Sequence, residues 1–137
     1  MSDQYQNSIA GLASQDPQVV MDSAIWLVEN SETVHDQDCY RQASEMLYAA
    51  ATESIDCLRY IDEKMSKALH FKAQIFACLV KDGNNKEMQE GAQQALENLI
   101  QQAAAIKGLN TEMIAQIYSA IQETGHPALL GHAKKLL

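Results

Sequence analysis

The sequence predicts an all-α fold. Apolar residues recur at steps of three and four from Asp16 to Leu137, and no segment alternates apolar and polar residues as a half-buried strand does. Only two prolines and six glycines interrupt a chain rich in Ala and Gln, and Ala, Leu, Gln, Glu and Lys lose little conformational freedom in a helix. At 137 residues, the expectation is one domain of five to six antiparallel helices around an aliphatic core, burying about two-thirds of the unfolded surface. A short α-solenoid of stacked helical hairpins is the alternative. "ASEMLYAAA" from Ala43 and "ALENLIQQA" from Ala95 match at four of nine offsets, which alanine-rich segments reach by chance, and neither carries a known repeat signature.

Residues 1–15 are polar, with only Ile9 and Leu12 able to dock, so they are expected to form a flexible N-terminal arm with at most a short helix near its end. The helical domain then covers 16–137. Asp16 and Pro17 pair an N-cap with a first-turn proline. In the helix that follows, Val20, Ala24, Leu27 and Val28 share a face that Val19, Met21, Ile25 and Trp26 widen. A helix so apolar around its girth is either sandwiched between others or offers a face to a partner.

A second helix is expected from about Asp36 or Asp38, with Tyr40, Ala43, Leu47, Ala50, Ser54, Cys57 and Ile61 as its stripe. Met65, Leu69, Phe76 and Leu79 continue on a rotated stripe. One helix of this length is improbable in so small a domain, so a break is placed between Ala51 and Ser66, near Thr52–Ser54 or near Lys64–Ser66. Gly83 suits a left-handed helix end, and Asn84 with Glu87 suits a capping box. Met88, Ala92, Ala95, Leu96, Leu99, Ala103 and Ile106 line the next helix, which Gly108 stops. Asn110 caps a further helix with Ile114, Ile117, Tyr118 and Ile121 inward. Gly125 ends it. His126, preceding Pro127, is pushed out of helical geometry, and Pro127 opens a last helix carrying Leu129, Leu130, Ala133, Leu136 and Leu137.

The net charge of −8 is unevenly placed. The first 40 residues hold Asp3, Asp16, Asp22, Glu29, Glu32, Asp36 and Asp38 with no Lys or Arg, whereas the remaining 97 hold 11 acids and 10 bases. Nucleic acid and anionic membrane both require a basic footprint, so neither is expected as a partner. A protein partner of basic character is compatible, and homo-oligomerisation stays open. The first residues have neither a basic n-region nor an apolar run, and no segment is long enough to span a bilayer. Cys39, Cys57 and Cys78 form an odd, scattered set without C-x-x-C, which suits reduced, buried thiols in the cytoplasm.

Little in the chain looks like chemistry. Glu32/His35 and Glu123/His126 have the Glu-x-x-His spacing of di-metal helix bundles. Both pairs fall at predicted helix boundaries, where the two side chains do not share a face, so no metal site is expected. His70 sits with Ser66, Ala73 and Ala77 and suits a small-residue helix contact. Asp56, Arg59, Tyr60, Glu63, Lys64 and Lys67 form an exposed face of mixed charge. Phosphate-loop, dinucleotide, zincin and nucleophile-elbow motifs are all missing.

By elimination the expected function is a non-enzymatic interaction module of the adaptor, regulator or small-chaperone kind, with no cofactor. Asp22, Trp26, Glu29, Glu32, Asp36 and Asp38 are its candidate contact residues, since aromatic anchors beside charge resemble interface hot spots. Trp26 serves equally well as a core plug. The rival expectation is a helical-bundle enzyme or metal-binding protein whose His, Glu and Cys residues meet only in three dimensions.

Overall fold

The computed structural model describes residues 3–31, 37–83 and 85–137. They hold α1 (Asp3–Gly11), α2 (Pro17–Glu29), α3 (Gln37–Glu53), α4 (Ile55–Lys64), α5 (Leu69–Asp82), α6 (Lys86–Ala105), α7 (Thr111–Thr124) and α8 (Pro127–Ala133), followed by a 3-10 turn at Lys134–Leu136. No strand occurs among the described residues, and none of their helices is long and apolar enough to cross a membrane. The fold is all-α, and the described residues form eight α-helices where five to six were expected.

One extra helix is α1. Its sequence is polar, yet Tyr5, Ser8 and Gly11 are buried, while Ile9, one of its two expected anchors, stays exposed. The contact is one of close approach: a Cβ at Gly11 would stand 1.9 Å from Ser23 Oγ of α2. Glycine and serine bring the two backbones together without an apolar stripe to announce it, and within the segment 1–15 the residues Asp3–Gly11 form a helix packed on α2.

The other extra element arises because both candidate breaks are used. Ser54 leaves helical geometry and its Oγ accepts from Asp56 N at 3.2 Å, capping α4. The chain breaks again at Met65–Ala68 before α5. Asp16 and Asn110 cap α2 and α7 as the sequence indicates, accepting from Gln18 N at 2.9 Å and Glu112 N at 2.7 Å. Asn85 caps α6 through Met88 N at 2.8 Å, in place of Asn84, which lies outside the described residues. Gly83 has φ −58° rather than the left-handed value expected of it. A Cβ there would approach Leu79 O to 2.5 Å, so close backbone contact rather than turn handedness calls for glycine. Gly125 does terminate α7 in the left-handed region, with φ 63°.

Packing follows the chain: α2 lies against α1 and α3, α3 against α4, α5 against α6 and α7, and α8 against α6 and α7. Contacts of α3 with α5 and of α4 with α6 join the two halves. One continuous cluster of buried side chains runs from Tyr5 to Ala133. α5 is its central member, with Leu69, Phe71, Lys72, Ala73, Ile75, Phe76, Ala77 and Leu79 all buried. The α6 stripe is buried as expected except Ile106, which follows the last helical turn and is exposed. Ile114 and Tyr118 are half-buried, and Leu137 is 81% exposed because it lies beyond the terminal turn.

The α4–α5 connection is held by two charged side chains. Glu29, the last residue of α2, accepts hydrogen bonds from the backbone amides of Ser66 (3.1 Å), Lys67 (2.6 Å) and Ala68 (2.7 Å). From the other side the fully buried Lys72 donates through Nζ to Asp62 O (2.9 Å) and Met65 O (3.0 Å), and pairs with Asp62 Oδ1 at 3.1 Å. The carboxylate thus satisfies donors ahead of α5, and the ammonium satisfies carbonyls at the end of α4.

Candidate functional site

One of the two Glu-x-x-His pairs lies among the described residues. Glu123 is an exposed residue of α7, and His126 is the extended residue before α8, so the two do not share a helical face. His126 N donates to Thr124 Oγ1 at 3.1 Å, and its Nδ1 is buried with no hydrogen-bond partner among the described residues. Glu32 and His35 lie outside the described residues. Among those described, no three His, Cys, Asp or Glu side chains cluster closely enough to hold a metal ion.

Of the three thiols only Cys39 is buried, against the expectation for all of them. Cys57 is half-buried because Ser54 turns α4 away from the stripe that α3 carries. Cys78 is also half-buried, and its Sγ stands 2.9 Å from the Tyr48 hydroxyl. That hydrogen bond, with burial and the neighbouring Asp82 adding to it, raises the Tyr48 pKa above 10.0.

Of the candidate interaction residues, Asp22, Trp26, Glu29 and Asp38 lie among the described residues. Asp22 accepts from the Tyr60 hydroxyl and, at 3.1 Å, from Gln18 Nε2. The Asp22 hydrogen bond is the main cause that raises the Tyr60 pKa above 10.0, burial being the next. Trp26 is half-buried against the core. Glu29 is committed to the α4–α5 connection. Asp38 faces solvent, with an 88% exposed side chain in a surface ion pair with Arg41 at 3.8 Å. Glu32 and Asp36 lie outside the described residues.

The surface instead carries an apolar groove. One lobe, of about 440 Å³, lies among the α1–α2 connection, the start of α2, the C-terminal half of α3 and the start of α4. Ala24 and Leu47 are its buried floor, and Pro17, Val20, Met21, Met46 and Ala50 its walls. A second hollow, of about 470 Å³, adjoins it between α1 and α3, lined by Ile9, Leu12, Gln42 and Glu45. Met46 and Ala49 line both. The groove exists because α1 approaches α2 closely and because alanines at 49 and 50 leave the outer side of α3 low. Glu45 borders one lobe and Glu53 the other, and among the described residues no Lys, Arg or His lines either.

The sequence reading missed this feature, Glu29's role and Lys72. Met46 and Ala49, off the buried stripe yet apolar, were the available signal for the groove. For Lys72 the signal was its place between Phe71 and Ala73, both apolar, in a helix whose apolar residues spread well beyond one stripe. No family model matches the chain, and comparison with curated proteins and with solved structures finds no match to either.

Proposed function

We propose that this protein is a non-enzymatic protein-interaction module that binds its partner in the groove between α1, α2 and α3. The observation that carries this reading is a pair of adjoining hollows that share Met46 and Ala49, open to solvent and lined mainly by apolar residues, on a fold whose core is already filled by α5. Exposed concave apolar surface marks binding sites, and methionine side chains adapt to the shape of what they meet. Asp38 and the acidic flank of the N-terminal half contribute long-range attraction, while Trp26 serves mainly to pack α2. Three cysteines that form no disulfide favour a reducing compartment such as the cytoplasm.

The wild-type chain and Ala49→Arg, immobilised in parallel, test the proposal by quantitative capture from an extract of the source cells. Ala49 is exposed, so its replacement should leave helicity and melting temperature unchanged while blocking the groove. A partner held by the wild-type chain and lost by Ala49→Arg is the expected result. Equal retention by both would remove the groove from the binding surface.

A further inference from the structure

We infer that the occupant of the groove is a basic amphipathic helix of a protein partner, an assignment that rests on the protein-binding function proposed above. Length and shape come first. From Gln42 to Glu53 the α3 wall covers eleven residue steps, about 16 Å at 1.5 Å per residue, which matches three turns of a helix lying alongside. Apolar side chains at i, i+3 or i+4, and i+7 of such a helix would meet the two lobes in succession. Ala49, at the junction of the lobes, presents only a methyl group, so a helix backbone can pass close over it.

Charge then selects the helix. Glu45 and Glu53 border the two lobes, no cation among the described residues lines them, and neither α1 nor α2 contains a Lys or Arg. An occupant with Lys or Arg flanking its apolar stripe meets these carboxylates at the rim, whereas an acidic helix is repelled. A second copy of this chain, itself at −8, suits the rim poorly.

The test is titration of the full isotope-labelled chain, followed by amide chemical shifts, with three peptides of about 14 residues. The first is an amphipathic Leu/Lys helix, the second its Leu/Glu analogue, and the third a Leu/Lys peptide of scrambled order. The Leu/Lys helix should bind with shifts centred on Val20, Met46, Ala49 and Ala50, and the other two should not bind there. Glu45→Gln with Glu53→Gln should weaken it roughly three- to tenfold and flatten its salt dependence without changing the melting temperature. Equal binding of the Leu/Glu helix, shifts away from the groove, or no binding of any peptide overturns the assignment. So does self-association of the chain, seen by sedimentation, that Ala49→Arg abolishes. A Leu/Glu helix bound in the groove would overturn this assignment and leave the proposed function standing, while partner capture insensitive to Ala49→Arg would overturn the groove as the binding surface itself.

Discussion

Removing either partner of the Lys72–Asp62 pair should destabilise the protein, and unequally. The Lys72 side chain is 1% exposed and that of Asp62 25% exposed. In Asp62→Ala the ammonium stays buried with only the carbonyls of Asp62 and Met65 as acceptors. A buried charge stripped of its counter-ion costs about 3–5 kcal/mol. In Lys72→Met the aliphatic stem is replaced almost isosterically, and the carboxylate left behind can recover water. The loss is then chiefly of two hydrogen-bonded carbonyls, one of them buried, at about 2–3 kcal/mol in all. Unfolding entropy near 2.1 cal/mol/K per residue gives about 0.3 kcal/mol per degree for 137 residues. Asp62→Ala should therefore lower the melting temperature by about 10–17 °C, and Lys72→Met by about 7–10 °C. The double variant should be more stable than Asp62→Ala alone, since it removes the stranded charge. Thermal unfolding followed by circular dichroism at 222 nm measures all three. If Asp62→Ala proves milder than Lys72→Met, or if the double variant shows the simple sum of the single losses, the buried-charge account of Lys72 is wrong.

Glu29→Ala should leave the amides of Ser66, Lys67 and Ala68 without their acceptor, so hydrogen exchange at these three positions should accelerate well beyond any change in α6; unchanged protection would mean that the connection holds without the carboxylate. Tyr60 should titrate above pH 10.0 in the folded protein, and Asp22→Asn should bring its ultraviolet titration back toward the ordinary value. Because folding raises this pKa, the Tyr60–Asp22 contact contributes fully below pH 10 and is lost as pH rises through the folded-state value. A Tyr60 titration unmoved by Asp22→Asn would place the cause elsewhere.

Helix class, most helix ends and the α6 face were legible because they depend on local properties: apolar period, capping side chains, and glycine or proline at fixed offsets. Asp16, Asn110 and Gly125 act where the sequence puts them. What escaped depends on pairs distant in sequence. The contact of Gly11 with Ser23 offers no hydrophobic pattern, and nothing near Glu29 in sequence indicates that its acceptors serve residues 66–68. Lys72 reads locally as a solvated charge, and becomes a buried one only when α4 presents its terminal carbonyls. The groove was hidden for the same reason. Its lining comes from four consecutive helices, and each contributes too few apolar residues to stand out alone.

Glu29 and the three amides it receives lie 37 to 39 residues apart along the chain. On a ribosome adding about 5–20 residues per second, the carboxylate is synthesised roughly two to eight seconds before its donors. Until Leu69–Asp82 has been made, α1, α2 and α3 lack α5, the helix that occupies the centre of the finished core. The nascent N-terminal half therefore shows water both the groove and the surface that α5 later covers, which makes it the stage most exposed to aggregation. A chain truncated before Ala68 would be held permanently in that state.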